Sequence, residues 1–166
     1  MKDFDSKLTA FFESIDSRFA EYLPNMVAET AVEVFKDSFR TKSFDGNPWP
    51  AYGSRKEPKR GSLMQRTNNL ASSIRPTLVS PAKVTISAGN SRVKYARVHN
   101  EGLRVKGTWK INPYINNNFM GKGKRVKIKA HSRKVDFKMP QRQFAGKSEI
   151  LLNTIKNRFK TSFKTF

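Results

Sequence analysis

The sequence predicts an α+β fold in which N-terminal helices and a C-terminal helix pack on a small, mostly antiparallel β-sheet, with a long basic β-hairpin or arm. Near both ends of the chain, apolar residues recur at steps of three and four, which is the spacing of one helix face. Between residues 84 and 137, apolar and polar residues alternate instead, as they do in half-buried strands. The 166 residues correspond to a single domain, 1–166, with a helical N-terminal segment at 1–40.

Two helices are predicted at the N-terminus and one at the C-terminus. The first has an apolar stripe made of Phe4, Leu8, Phe11, Phe12, Ile15 and Phe19. Pro24 suits the first turn of the second helix, where a missing N–H breaks no hydrogen bond. The last helix begins at residue 146 or 147, and its apolar side holds Ile150, Leu151, Ile155 and Phe159. Core packing is the simplest interpretation of these stripes, and an aromatic face for subunit contact is the alternative.

The middle of the chain is predicted to begin with a loop and a short helix. Residues 44–61 are rich in proline, glycine and charge, which favours a long loop that Trp49 anchors on the core. Residues 63–74 fit a short helix that ends before Pro76, because the residue preceding a proline avoids the helical conformation.

The alternating patterns that follow predict strands at 84–88 and 93–99. The second of these closes at Gly102, where a glycine takes a positive φ without steric cost. Residues 126–137 alternate again, which predicts a β-hairpin with one apolar and one cationic face.

Charge is the most unusual property of the chain. It has 33 Lys and Arg against 13 Asp and Glu, a net charge of +20. Residues 1–40 hold five basic and eight acidic side chains, a net charge of −3, so the remainder has a net charge of +23. A field of this strength favours an acidic partner, which is a nucleic acid, an anionic protein face or a membrane surface.

The basic insert at 103–138 concentrates this charge, since it has eleven cations and Asp136 as its only acid. Candidate contacts to an acidic partner or to DNA are Lys122, Lys124, Arg125, Lys127, Lys129, Arg133 and Lys134. Cations mixed with aromatics such as Trp109 suit phosphate contacts and base stacking. However, no recognisable nucleic-acid-reading motif surrounds them. Contact with a protein and proximity to DNA therefore remain equal alternatives.

The sequence predicts no catalytic, cofactor or metal site. Its two histidines, His99 and His131, have no metal-ligand spacing, and the absence of cysteine excludes disulfides and thiolate chemistry. Residues 121–125 lack the spacing of a phosphate-binding loop. No signal peptide is expected, and no apolar run approaches the roughly 20 residues of a bilayer span, so no membrane partner is expected.

Four short motifs follow one another in a fixed order. They are Gly46-Asn47-Pro48-Trp49, then Leu70-Ala71-Ser72-Ser73-Ile74, then Tyr95-Ala96-Arg97-Val98-His99-Asn100-Glu101-Gly102, and last Met139-Pro140-Gln141-Arg142-Gln143-Phe144. This ordered set resembles the phage virion morphogenesis, or tail completion, family over roughly residue 35 to the C-terminus. One departure is Asn69, where the family commonly has glycine; asparagine tolerates the left-handed conformation expected there.

The resemblance implies a non-enzymatic bacteriophage structural protein that completes the tail or joins head to tail. It implies a homo-oligomeric ring, expected to be six-fold, in the neck or at the tail end of the virion, assembled in the host cytoplasm. Neighbouring neck or tail proteins would be its partners, with packaged DNA nearby. The motif residues expected to matter are Trp49, Leu70, Ile74, Tyr95, His99, Gly102, Met139, Pro140, Arg142 and Phe144.

Within the last motif, Arg142 is expected to make a directed polar contact, because a planar guanidinium can donate two parallel hydrogen bonds. His99 is expected to be a hydrogen-bonding structural residue. A nucleic-acid-binding protein that uses the basic arm is the alternative function, and an enzyme ranks last.

Overall fold

The computed structural model describes residues 2–53 and 61–164; the side chains of residues 2–18, 119, 163 and 164 lie outside that description. The fold is α+β, as predicted. The helices are α1 (Lys2–Thr41), α2 (Asn69–Ser72), α3 (Ala96–Glu101) and α4 (Glu149–Lys164). The strands are β1 (Ser43–Phe44), β2 (Asn47–Pro48), β3 (Arg75–Ser80), β4 (Lys83–Ser87), β5 (Arg104–Ile111), β6 (Tyr114–Phe119), β7 (Lys124–Ile128) and β8 (His131–Lys138).

The described strands form four separate antiparallel pairs rather than one sheet. These pairs are β1–β2, β3–β4, β5–β8 and β6–β7. α1 packs on β1, α2, β3, β4 and α4, whereas the extensive contacts of β5 and β8 are with each other. The chain therefore divides into a body of helices and short strand pairs, and a ribbon made of β5 to β8.

α1 is one continuous helix, so the prediction of a second helix starting at Pro24 was wrong. Inside a helix a proline loses one hydrogen bond and costs about 3 kcal/mol. A break would instead leave end groups of two helices without intrahelical partners, up to four at each end. The apolar stripe predicted from Phe4 to Ile15 falls on side chains outside the described residues.

The core lies against the C-terminal half of α1. Phe39 is fully buried; its ring meets Trp49 edge-on at 5.3 Å and lies 5.2 Å from the ring of Phe144. The other buried members of this cluster are Ala31, Phe35, Phe44, Leu70, Ala71, Ile74, Val93 and Ala96. The core thus joins α1, α2, α3 and the loop that carries Trp49.

Two of the central predictions were wrong in type or extent. The helix predicted at 63–74 is only the single turn α2, and it is Asn68, not Asn69, that is left-handed, with φ 58°. The strand predicted at 93–99 is replaced by α3. The segment 93–99 has too few apolar residues to distinguish the 3.6-residue period of a helix from the two-residue period of a strand. The positive φ expected of Gly102 is confirmed at 67°, where it ends α3.

The basic arm, residues 104–138, is built from two nested ladders. β5 pairs with β8 from Arg104↔Lys138 to Ile111↔His131, and β6 pairs with β7 farther out. The chain turns near Gly121 and Gly123, whose φ angles are 73° and 66°. The hairpin predicted at 126–137 was therefore wrong. Its two halves lie in β7 and β8, which follow each other along the same side of the ribbon and pair with β6 and β5.

α4 is capped by the carboxylate of Asp45, which lies between β1 and β2. Asp45 accepts hydrogen bonds from the Ile150 amide (3.0 Å), the Ser148 hydroxyl (2.7 Å) and the Glu149 amide (3.3 Å). The two amide bonds satisfy N–H groups that a helix start leaves unpaired. The hydrogen bonds from Ile150 and Ser148 lower the pKa of Asp45 below its ordinary value of 3.8.

A second contact fixes α4 along α1. Arg158 donates from Nη1 to the buried hydroxyl of Thr30 (3.0 Å) and from Nη2 to the carboxylate of Glu33. Tyr22 and Ser162 share a hydroxyl–hydroxyl hydrogen bond of 3.0 Å farther along the same pair of helices. None of the helices described between residues 2 and 164 is both long and apolar enough to cross a bilayer.

Replacing Asp45 with Asn should lower stability near neutral pH, because the neutral amide caps α4 less well. The folded-state pKa of Asp45 lies below its unfolded value, so its contribution is fully present above about pH 4 and is lost as pH falls through the folded pKa. Urea unfolding across this range should show the gap between wild type and Asp45→Asn closing in acid. Glu21→Gln, an exposed change on α1, is the control. A gap that stayed constant in acid would contradict capping by the charge.

Candidate functional site

The last two sequence motifs pack directly against each other. The segment 139–145 lies along α3, where the Met139 amide donates to the Leu103 carbonyl (3.1 Å) and the Arg142 amide donates to the His99 carbonyl (2.8 Å). Two motifs that are separated by the whole basic arm in sequence therefore form one unit at its base.

Asn100 holds the end of this segment with both polar atoms of its side chain. Its Oδ1 accepts from the amides of Phe144 (2.9 Å) and Ala145 (3.1 Å), and its Nδ2 donates to the Ala145 carbonyl (3.1 Å). We call this arrangement the Asn100 clamp. Buried main-chain N–H and C=O groups need hydrogen-bond partners. The Asn100 side chain supplies them to a segment that does not pair as a strand. Asn100 was not among the residues predicted from sequence, because its partners lie 44 and 45 residues farther along the chain.

Gly102 permits the close approach of the two motifs. A Cβ on this residue would lie 2.8 Å from Cβ and 3.0 Å from Cα of Gln141. Its φ of 67° is also in the region that L side chains avoid. Both constraints select glycine.

Arg142 is a buried residue that ties the same segment to the loop after β2. Its Nε donates to the Pro50 carbonyl (2.9 Å) and its Nη2 to the Ala51 carbonyl (3.2 Å), while its guanidinium carbon lies 5.5 Å from the centre of the Tyr52 ring. Burial lowers its pKa from the ordinary value. The two-pronged contact thus goes to main-chain oxygens within the same chain. Trp49 adds a second tie, since its Nε1 donates to the Gln143 carbonyl at 2.5 Å.

His99 lies beside Arg142 and has no hydrogen bond at one ring nitrogen. Its Nδ1 is buried without a partner among the described residues. Its ring meets that of Tyr95 edge-on, with the ring centres 5.7 Å apart. Burial, and then the charge of Arg142, lowers the pKa of His99. Because the pKa falls from its ordinary value of 6.5, the imidazole is neutral near pH 7. The hydrogen bond expected of His99 is not made by its Nδ1.

The other motif residues mostly build the core. Trp49, Leu70, Ile74 and Phe144 are buried. Met139 is half-buried, and Tyr95 and Pro140 are exposed. Among the described residues, no three His, Asp or Glu side chains gather as metal ligands. The motifs therefore mark the packing that supports the base of the arm.

The inner ladder of the arm has two chemically different faces. Opposed residues of an antiparallel pair lie on the same face. One face carries Val105, Trp109, Ile111, Val135 and Phe137, together with Arg133 and His131. Trp109 and Phe137 meet edge-on at 6.1 Å and are 50% and 38% exposed. The opposite face carries Arg104, Lys106, Lys110, Lys134 and Lys138, with Asp136 among them.

The seven cations proposed from sequence are exposed but do not form one cluster. Arg133 and Lys134 project from opposite faces of the inner ladder, Lys122 lies at the turn, and the remainder follow β7 and its end. At the base of the cationic face, Arg104 donates two hydrogen bonds to Asp136 (2.6 and 3.0 Å). The cations are thus spread along the whole arm.

Comparison with known proteins identifies a family. The model of the phage virion morphogenesis family matches residues 8–164 of this chain. No curated protein and no solved structure is significantly similar to it.

Gly102→Ala should destabilise the protein by at least about 1 to 2 kcal/mol, because alanine is strained at positive φ and its Cβ overlaps Gln141. Gly107→Ala is the matched control. Its Cβ would meet no atom within 4 Å, so a change below about 0.5 kcal/mol is expected. Urea denaturation of both variants measures the difference. Equal midpoints would show that α3 and the 139–145 segment do not require this close approach.

Asn100→Ala should cost about 2 kcal/mol or more, since two amides and a carbonyl of the segment lose their partner. Hydrogen exchange of the Phe144 and Ala145 amides should accelerate in this variant. Asn117→Ala, an exposed change on β6, should alter neither quantity. Unchanged exchange at Phe144 in the Asn100 variant would contradict the clamp.

Proposed function

Because the chain belongs to the phage virion morphogenesis family, we propose that it is a structural protein of the virion that completes the tail or joins it to the head. The match covers residues 8–164 and so includes α3, the arm and α4. A role in phage assembly follows from the family. The position in the neck or at the tail end, and the ring described below, are our proposal.

The uncovered basic arm is the observation that best supports an assembly role. An isolated two-stranded ribbon is marginally stable in water. Here the ribbon exposes Trp109, Tyr114, Ile115 and Phe137. Large apolar side chains that gather on a surface mark sites of protein contact. An arm of this kind gains cover and stability when it meets a neighbouring subunit.

The uneven charge supports a ring of identical subunits. Residues 1–40 have a net charge of −3 and the rest of the chain +23, so unlike surfaces of two copies attract each other. Contact between different patches of two copies is heterologous, and such contacts close into rings when the rotation allows. We propose a homo-oligomeric ring with six-fold symmetry that contacts neighbouring neck or tail proteins. The exposed cations of the outer ladder suit a position near packaged DNA.

The chemistry of the motif residues supports a non-enzymatic role. The polar atoms of Asn100 are used on main-chain groups of the same molecule, and Arg142 makes its two hydrogen bonds to main-chain carbonyls. Side chains used in this way stabilise the fold of one subunit, so contacts between subunits would be made by other surfaces.

Imaging purified virions of the phage that encodes this chain tests the proposal. We expect a closed ring of the protein at the head–tail junction or the tail end. A variant in which residues 107–134 are replaced by a short Gly–Ser turn should keep a cooperative thermal transition, because the core lies outside the arm. It should nevertheless fail to enter particles. Absence of the wild-type chain from particles would overturn the structural role.

A further inference from the structure

The inner ladder of the arm leaves both of its faces largely uncovered in the single chain. The broad contacts of β5 and β8 are with each other, and α1 packs on other elements. One face is apolar and aromatic and the other cationic, so a partner must offer both apolar surface and negative charge. This combination is more specific than either property alone.

A surface with both properties lies between α1 and α4. Two hollows of about 490 and 610 Å³ adjoin there and share Thr154. We call them together the α1–α4 trough. Its carboxylates are Glu29, Glu33, Asp37 and Asp45, and Arg158 is the one cation among the residues that line the two hollows. Its apolar side chains include Tyr22, Met26, Val34, Phe44 and Ile150.

The trough is the complement of the arm in charge. Its lining carries a net charge of −3 in a chain of net charge +20. Glu33 pairs with Arg158 and Asp45 caps α4, so Asp37 and Glu29 are the carboxylates most open to a new cation. Asp37 pairs with Arg40, whose side chain is 78% exposed, and Glu29 has no ion-pair partner among the described residues. Weakly paired carboxylates at a surface remain open to a new cation.

The two surfaces also agree in length. The trough follows α1 from Tyr22 to Thr41, which at the rise of an α-helix is about 28 Å. The inner ladder has eight residues in each strand, which at the rise of a β-strand is about 24 Å. An inner ladder laid along the trough would therefore meet it over nearly its full length.

We propose that the inner ladder of one subunit docks in the α1–α4 trough of a second copy of this chain. The inference rests on the proposed oligomeric assembly and names the contact that builds it. Lys110, Lys134 and Lys138 then face the trough carboxylates, and the Trp109–Phe137 face, which points the opposite way, closes against another part of the neighbour. Arm and trough are different patches, so the contact is heterologous and repeats around a ring.

Nucleic acid is a poorer occupant of the inner ladder than a second copy. Phosphates would satisfy the cationic face but leave the Trp109 and Phe137 side chains of the opposite face in water. At the base of the ladder, Asp136 pairs with Arg104 and lies 3.8 Å from Lys106, which weakens the positive field there.

Cross-linking locates the docking site directly. Thr108→Cys places a single thiol in a chain that has none, on the cationic face of the ladder. The thiol is coupled to benzophenone maleimide, and the labelled protein is mixed with ¹⁵N-labelled wild type at high concentration and in assembled particles. Cross-links from the label to residues 22–41 or 148–162 of the ¹⁵N chain are expected. Cross-links elsewhere, within one chain only, or absent would overturn the proposal.

Charge reversal tests the pairing of the two surfaces. An arm variant carries Lys110→Glu, Lys134→Glu and Lys138→Glu, and a trough variant carries Glu29→Lys and Asp37→Lys. Each alone should lower cross-link yield about tenfold, because like charges then meet. A mixture of the two should restore it, since every arm again faces a trough of opposite charge.

The control variant reverses three cations beyond the inner ladder, Lys122→Glu, Lys124→Glu and Arg125→Glu, and should leave the yield unchanged. If the inner ladder binds nucleic acid instead, the arm variant should lose affinity for duplex DNA and mixing should restore nothing. That result overturns the docking. A protein found in virions with its arm away from the trough would overturn the docking and leave the virion role standing.

Discussion

The segment 139–145 lies between the arm and α4, and its attachment to α3 fixes the position of both. Its amides and carbonyls pair with main-chain groups of α3 and with the side chain of Asn100. The Trp49 indole donates a hydrogen bond to the Gln143 carbonyl of the same segment, and Arg142 donates to the Pro50 carbonyl in the loop after β2. Phe144, at its end, fills the centre of the core. A seven-residue stretch without regular secondary structure thereby connects every part of the body.

This attachment separates two kinds of surface. Below it, the core is held by buried aromatics and by main-chain hydrogen bonds, which are not subject to the screening that weakens exposed charge pairs. Beyond it, the arm presents cations and aromatics that find no broad cover in the single chain. Interactions of the second kind depend on ionic strength, because exposed charges are screened within about 10 Å at 0.1 M salt. The body therefore has its own buried core, whereas the arm has little cover in the single chain.

The sequence predicted the fold class, the last helix and the glycine at Gly102, because each depends on a local pattern. It was wrong about Pro24, where the cost of one proline is smaller than that of two free helix ends. It was also wrong about 93–99, since a run this short fits either period.

The site was harder to predict than the fold. The roles of Asn100 and Asp45 depend on partners 44 to 105 residues away, so no local pattern records them. The motif residues were identified as a set through the family, but their positions around one core became visible only in three dimensions.

The shared base of the two strands of the arm has a mechanical consequence. Both strands of the inner ladder leave the body side by side, at Leu103 and Met139, whose main chains are hydrogen-bonded. Tension applied at the tip would run along two covalent backbones in parallel, without shearing the strands past each other. It would enter the body where α3 meets the 139–145 segment. The load there would fall on the three hydrogen bonds of the Asn100 clamp, on the Arg142 and Trp49 hydrogen bonds of the same segment, and on the packing of Phe144.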